Sequence, residues 1–202
     1  MAREAVYFGD GNVPYKRWTM NTAQALEGSA YTTTTETILA SLGVNDADPN
    51  AGGTPRYLNK TGRSRLDFLA VARATDSNST DTMTVRVRLG TATGLVCAVS
   101  PVPDAADDDI FVLKGSILLE TTGAAATVIN IGDGQDTSLT GDGVTAGMPI
   151  WTATYQSATV YTTGALDLVV TVDWSVDHND NDSSCDWFEA TLWPAFGTAD
   201  ES

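Results

Sequence analysis

From Thr82 to Gly90 the chain reads TMTVRVRLG, with Met83, Val85, Val87 and Leu89 on one side and Thr84, Arg86 and Arg88 on the other. Alternation with a period of two marks a strand buried on one face. The same grammar recurs along the chain. TTTTETILASL is rich in β-branched residues and stops at Gly43. RLDFLAVAR aligns Leu66, Phe68, Ala70 and Ala72, and GLVCAVS is a short strand closed by Pro101 and Pro103. FVLKGSILLE sets Phe111, Leu113, Gly115, Ile117 and Leu119 in register, and ATVINIG follows. PIWTATYQSATVY predicts one longer or broken strand. LDLVVTVDW puts Leu166, Leu168, Val170, Val172 and Trp174 inward, with Asp167, Thr171 and Asp173 outward. WFEATLW closes the set before Pro194.

Clusters of Gly, Pro, Asp, Asn and Ser separate these eight or nine strands, and no amphipathic helix of three turns interrupts them. GVNDADPNAGGTP, TDSNSTD, DAADDD and GDGQDTSLTGDG read as loops. The pattern predicts an all-β, antiparallel fold, a sandwich or barrel. Uneven and sometimes long loops favour an eight-stranded jelly roll. The alternative is an immunoglobulin-like sandwich, although the Cys…Trp…Cys spacing expected of one is unconvincing.

Before Tyr31 the periodicity lapses. FGDGNVPY is punctuated by glycine and proline, and MNTAQALEG predicts a short helix with Asn21 or Thr22 as cap and Gly28 as stop. Residues 1–30 therefore read as an N-terminal arm, anchoring the domain or contacting a subunit through Tyr7, Phe8, Tyr15 and Trp18. A strand or loop of the same domain is the competing reading. Residues 31–196 form the sandwich and 197–202 a polar tail. The N-terminus shows no apolar secretory segment.

Charge narrows the function. Asp (20) and Glu (6) outweigh Arg (8) and Lys (3), a formal net charge of −15. With no basic cluster longer than KTGRSR, neither nucleic acid nor an anionic membrane is an expected partner. Excess Asp with little Lys suits a halophilic protein, because concentrated salt screens self-repulsion. An ordinary acidic surface is the plainer account.

Candidate chemistry centres on SVDHNDNDSSCDW, which holds the sole histidine, His178. Asp177, Asn179 and Asn181 match the first ligand positions of a calcium loop. Asp182 stands where glycine should turn the chain, and Phe188 where the bidentate acid belongs. An irregular calcium site from Asp177, Asp180 and Asp182 remains open, but a solvated connection between the last two strands is the expectation. Zinc would need more His or Cys than the chain has. Ser183, Ser184 and Cys185 neighbour His178 without a nucleophile-elbow motif, so no enzyme activity and no other cofactor are expected. Cys97 and Cys185 read as buried free thiols. GDG at Gly9 and Gly132 reads as turn chemistry, and the sequons at Asn59, Asn78 and Asn181 as accidental. If Phe188, Ala190 and Leu192 point inward, Trp187 and Trp193 point outward, a strip suited to subunit contact or, second, to sugar stacking.

RLDFLAVARATDSNSTDTMTVRVRLGT, followed by TTGALDLVVTVDWSVDHNDNDSSCDWFEATLW, resembles the jelly-roll domains of minor head and decoration proteins of tailed double-stranded DNA viruses, phage or haloarchaeal. The resemblance spans about Tyr31 to Trp193. It implies a virion surface role as a capsid decoration, cement or turret protein bound to the major capsid protein. It implies a homo-oligomer, a trimer first, and it brings no catalytic residues. A receptor- or carbohydrate-binding module of a spike or tail is the alternative.

Overall fold

The computed structural model describes residues 16–20, 24–26, 34–45, 58, 64–76, 81–100, 109–121, 123, 125–136, 150–160 and 165–193. In order, the strands are β1 (Lys16–Thr19), β2 (Gln24–Leu26), β3 (Thr37–Gly43), β4 (Arg65–Asp76), β5 (Met83–Leu89), β6 (Leu95–Val99), β7 (Ile110–Leu119), β8 (Ala126–Asp136), β9 (Ile150–Val160), β10 (Asp167–Trp174) and β11 (Asp182–Trp193).

The pairings nest. β5 pairs β6, β4 pairs β7, β3 pairs β10, and β1 with β2 pairs β11, all antiparallel. A strip of four nested pairs, folded over so that β11 meets β4 and β10 meets β5, is a jelly roll. It yields a seven-stranded sheet in the order β1-β11-β4-β7-β8-β9, with β2 also on β11, and a four-stranded sheet in the order β3-β10-β5-β6. The immunoglobulin alternative lacks this nesting. The β8–β9 hairpin is an insertion that widens the large sheet beyond β7.

Between the sheets, the alternating positions make one core. Leu66, Phe68, Ala70, Ala72 and Ala74 of β4 point in, as do Met83, Val85, Val87 and Leu89 of β5. Leu168, Val170, Val172 and Trp174 join from β10, and Phe188, Ala190 and Leu192 from β11. Each fully buried large side chain contributes about 1.5–3 kcal/mol. Cys97 and Cys185 are buried and unbridged, as the sequence predicts.

Two expectations change. Part of the expected arm belongs to the sheet: Lys16↔Leu192 to Thr19↔Glu189, then Cys185↔Gln24 to Ser183↔Leu26, cover successive stretches of β11. Met20 N–H donates to Phe188 O at 2.8 Å between them. The edge of β11 needs backbone partners, and a helix of a few residues cannot repay its nucleation cost, so 24–26 is strand rather than helix. Tyr7, Phe8 and Tyr15 lie outside the described residues.

The second change is at GDGQD. Instead of turning, 132–136 continue β8. A Cβ on Gly132 would sit 1.9 Å from the Cys97 carbonyl oxygen, and one on Gly134 1.9 Å from that of Val99. These glycines let β8 press against β6 backbone to backbone.

Candidate interaction surface

The acidic knot is the connection from β10 to β11, built around a buried amide. Asn181 is fully buried, and its Nδ2 donates to Asp81 Oδ2 at 2.9 Å and to Val176 O at 3.1 Å. Its N–H donates to His178 O at 3.1 Å, closing the turn. Ser175 Oγ accepts from Thr82 N–H at 2.9 Å and pins the other side. Asp177 and Asp180 are exposed, and Asp180 N–H donates to His178 Nδ1 at 3.2 Å. Among the described residues no three His, Cys, Asp or Glu side chains gather as a metal-binding group, so Asp177, Asp180 and Asp182 do not converge. Ser183, Ser184 and Cys185 turn into buried positions on β11, while His178 stays at the surface loop. Burial pushes the Cys185 thiol up to about 12, reinforced by the Asp186 charge, which is the opposite of a nucleophile's requirement. The Asn181 sequon is occupied by structural hydrogen bonds.

On the outer face of the small sheet, charges close over the strands. Arg88 forms a two-pronged pair with Glu36, Nε to Oε1 at 2.6 Å and Nη2 to Oε2 at 2.7 Å, and reaches Gly94 O at 2.8 Å. Arg86 pairs with Asp173 and lies 3.5 Å from Glu36 Oε2, while the Thr171 hydroxyl donates to Glu36. Burial raises the Glu36 pKa, but the hydrogen bonds from Arg88 and Thr171 and the charges of Arg86 and Arg88 outweigh it and hold the carboxyl below its ordinary value. Alternation places Arg86 and Arg88 outward; their acceptor on β3's approach is set only by the fold. This face is self-satisfied.

The outer face of the large sheet is different. Among the described residues, four of the six exposed large hydrophobics lie on it: Trp187 at 44 %, Leu118 at 39 %, Ile131 at 59 % and Tyr155 at 70 % exposure. Register sets them in rows across the strands. Trp187 lines up with Val71 and Val112; Thr191, Asp67, Ser116, Ile131 and Tyr155 form a second row; Trp193, Arg65, Leu118 and Ile129 form a third. As the sequence predicts, Phe188, Ala190 and Leu192 are buried while Trp187 is exposed and Trp193 half-buried. The Arg65 guanidinium lies 5.5 Å from the Trp193 ring centroid, which covers that indole. Trp18 of β1 packs against the core instead of standing free, because its strand turns that side inward.

Charges on this face balance. Arg17 pairs with Glu189, Arg65 with Asp67 at 2.9 Å and Arg73 with Asp186 at 2.9 Å. Lys114 stands opposite Asp133 in register. Lys114, Gly115, Ser116, Ile131 and Asp133, with Phe68, also line an open depression. In a chain of net charge −15, these pairs among the described residues set four cations against four carboxylates. A broad, neutral, partly apolar sheet is suited to protein contact.

No family model matches the sequence, and no curated protein does. Solved structures similar to the chain include a protein of unknown function from Shewanella oneidensis MR-1, at 9 % identity over 89 % of this chain and 82 % of that one, with a TM-score of 0.35. Another is the VP2 subviral particle of infectious bursal disease virus, at 8 % identity over 93 % of this chain and 34 % of that one, TM-score 0.34. This chain thus spans about a third of that capsid protein. A metal-free lectin I-B4 from Griffonia simplicifolia aligns at 7 % identity over 90 % and 94 % of the two chains, TM-score 0.29. The capsid protein and the lectin are all-β, as this chain is.

Proposed function

We propose that the protein is a structural component of a virion, a capsid decoration, cement or turret protein that binds the outer surface of the major capsid shell and performs no catalysis. The observation that carries this reading is the outer face of the large sheet, where Trp187, Leu118, Ile131 and Tyr155 stand exposed among mutually paired charges. Such a surface gains by losing water and repels no partner by net charge. The exposed Asp177 and Asp180 of the β10–β11 connection supply a solvated side, and the nested core a stiff scaffold. Sequence resemblance to decoration-protein jelly rolls points the same way. Quantitative mass spectrometry of purified particles tests it: the protein is expected at high copy number, and particles stripped of it at a lower melting temperature. A few copies confined to the tail would sink the idea.

The exposed Trp187 indole supports a second reading, a carbohydrate- or receptor-binding module of a spike. Saturable glycan binding that Trp187→Ala weakens would favour it over the first, and a blank glycan array would leave the contact reading in place.

A further inference from the structure

Sheet edges carry unpaired backbone donors and acceptors, and natural sheets blunt them with charge, brevity, bulges or cover. Three edges here are treated in that way. β1 and β2 are four and three residues long, and β1 carries Lys16 and Arg17. β3 has seven residues and pairs β10 across a register shift. β6 has five, and β8 lies over it: Asn130 Nδ2 donates to Cys97 O at 2.8 Å, and Gly132 and Gly134 admit the Cys97 and Val99 carbonyls. Among the described residues β9 lacks the first three of these devices. Its eleven residues, IWTATYQSATV, contain no charge and no proline, and its register with β8 is unbroken. Among the described residues β9 pairs β8 alone.

We propose that β9 is an assembly edge, to which the β9 strand of a second copy adds antiparallel about a two-fold axis at Tyr155. Uncharged composition selects a copy of this chain over a partner read by charge, since the strand offers no ion for such a partner to pair. Centred on Tyr155, self-pairing sets Ile150 opposite Val160, Thr152 opposite Ala158 and Ala153 opposite Ser157. Every such pair is neutral and most are β-formers, so no like charges meet across the seam. The arrangement is isologous and closes at two copies. At ~3.3 Å per residue the seam runs about 36 Å. It joins two seven-stranded sheets into one and leaves the Trp187 end of each outer face free. This inference is independent of the virion reading and replaces the trimer implied by resemblance with a dimer.

Light scattering on the eluted protein is expected to give twice the 21.3 kDa chain mass. Two bodies each of formal charge −15 repel, so the dimer fraction rises with salt. A Tyr155→Cys variant, oxidised with diamide, is expected to form a disulfide dimer, because the two Tyr155 positions face each other. Ser157→Cys stays uncrosslinked, its two copies being about 13 Å apart along the strands, beyond disulfide reach. The native thiols are buried and do not contribute. Tyr155→Lys yields a monomer with unchanged circular dichroism, while Trp187→Ala remains dimeric. A monomeric parent protein, cross-linking of Ser157→Cys equal to that of Tyr155→Cys, or loss of the dimer in Trp187→Ala would each overturn the proposal.

Discussion

Gly132 and Gly134 have no room for a methyl group, since a Cβ at either would stand 1.9 Å from a backbone oxygen of β6. Backbone cannot swing aside as a side-chain tip can. Gly134→Ala is therefore expected to cost about 1–3 kcal/mol, read as a lower urea midpoint. In the sequence these glycines carry the same signature as a turn, and only the neighbouring strand tells close approach from chain reversal. The thiols behave in the opposite way, since their burial was legible from the apolar runs around them. Burial pushes Cys97 and Cys185 each up to about 12 from an ordinary 9.0. Both are expected to resist a thiol reagent at pH 8 in the folded protein and to react fully in denaturant. A raised thiol pKa means stability that is complete below about pH 9 and erodes as pH climbs toward 12.

Strands were the most legible elements, because period two survives in single runs such as Met83–Leu89 and Asp167–Trp174. The first thirty residues were least legible. β1 and β2 are too short to show a period, and pairing with β11 decides their conformation. Partners across strands were hidden too. Glu36 ties the approach to β3 to Arg86 and Arg88 of β5 and to Thr171 of β10, over sequence separations that no local pattern reports. Glu36→Gln is expected to destabilise by about 1 kcal/mol at neutral pH, a modest figure because solvent still screens the pair. With its folded pKa depressed, Glu36 contributes above its unfolded value of 4.5, and that contribution disappears as pH falls through the folded value. In acid unfolding followed by circular dichroism, the parent is expected to lose its advantage over Glu36→Gln as pH falls below about 4.5, while the variant, lacking this carboxylate, shows a flatter stability curve over the same range.

At the scale of the whole molecule, charge and shape separate. The chain carries a formal charge of −15, yet among the described residues the cations and carboxylates paired on the outer face of the large sheet cancel. Thermal unfolding in a salt series is expected to show a melting temperature that climbs toward about 1 M, where the Debye length falls to roughly 3 Å. A melting temperature indifferent to salt would remove the halophilic expectation. By itself, the sequence determined the all-β class, the inward and outward sides of the cleanly alternating strands, the unbridged cysteines and the acidic composition. These are local properties, since alternation and composition act through a few neighbouring residues. Only the tertiary structure decided the nested strand order, the role of the GDG glycines, the acceptor of the arginine pair, the charge balance of the described outer face and the place of uncharged β9 at the end of the large sheet. Each of those depends on which distant segments lie side by side, and that is settled by packing two twisted sheets around one core.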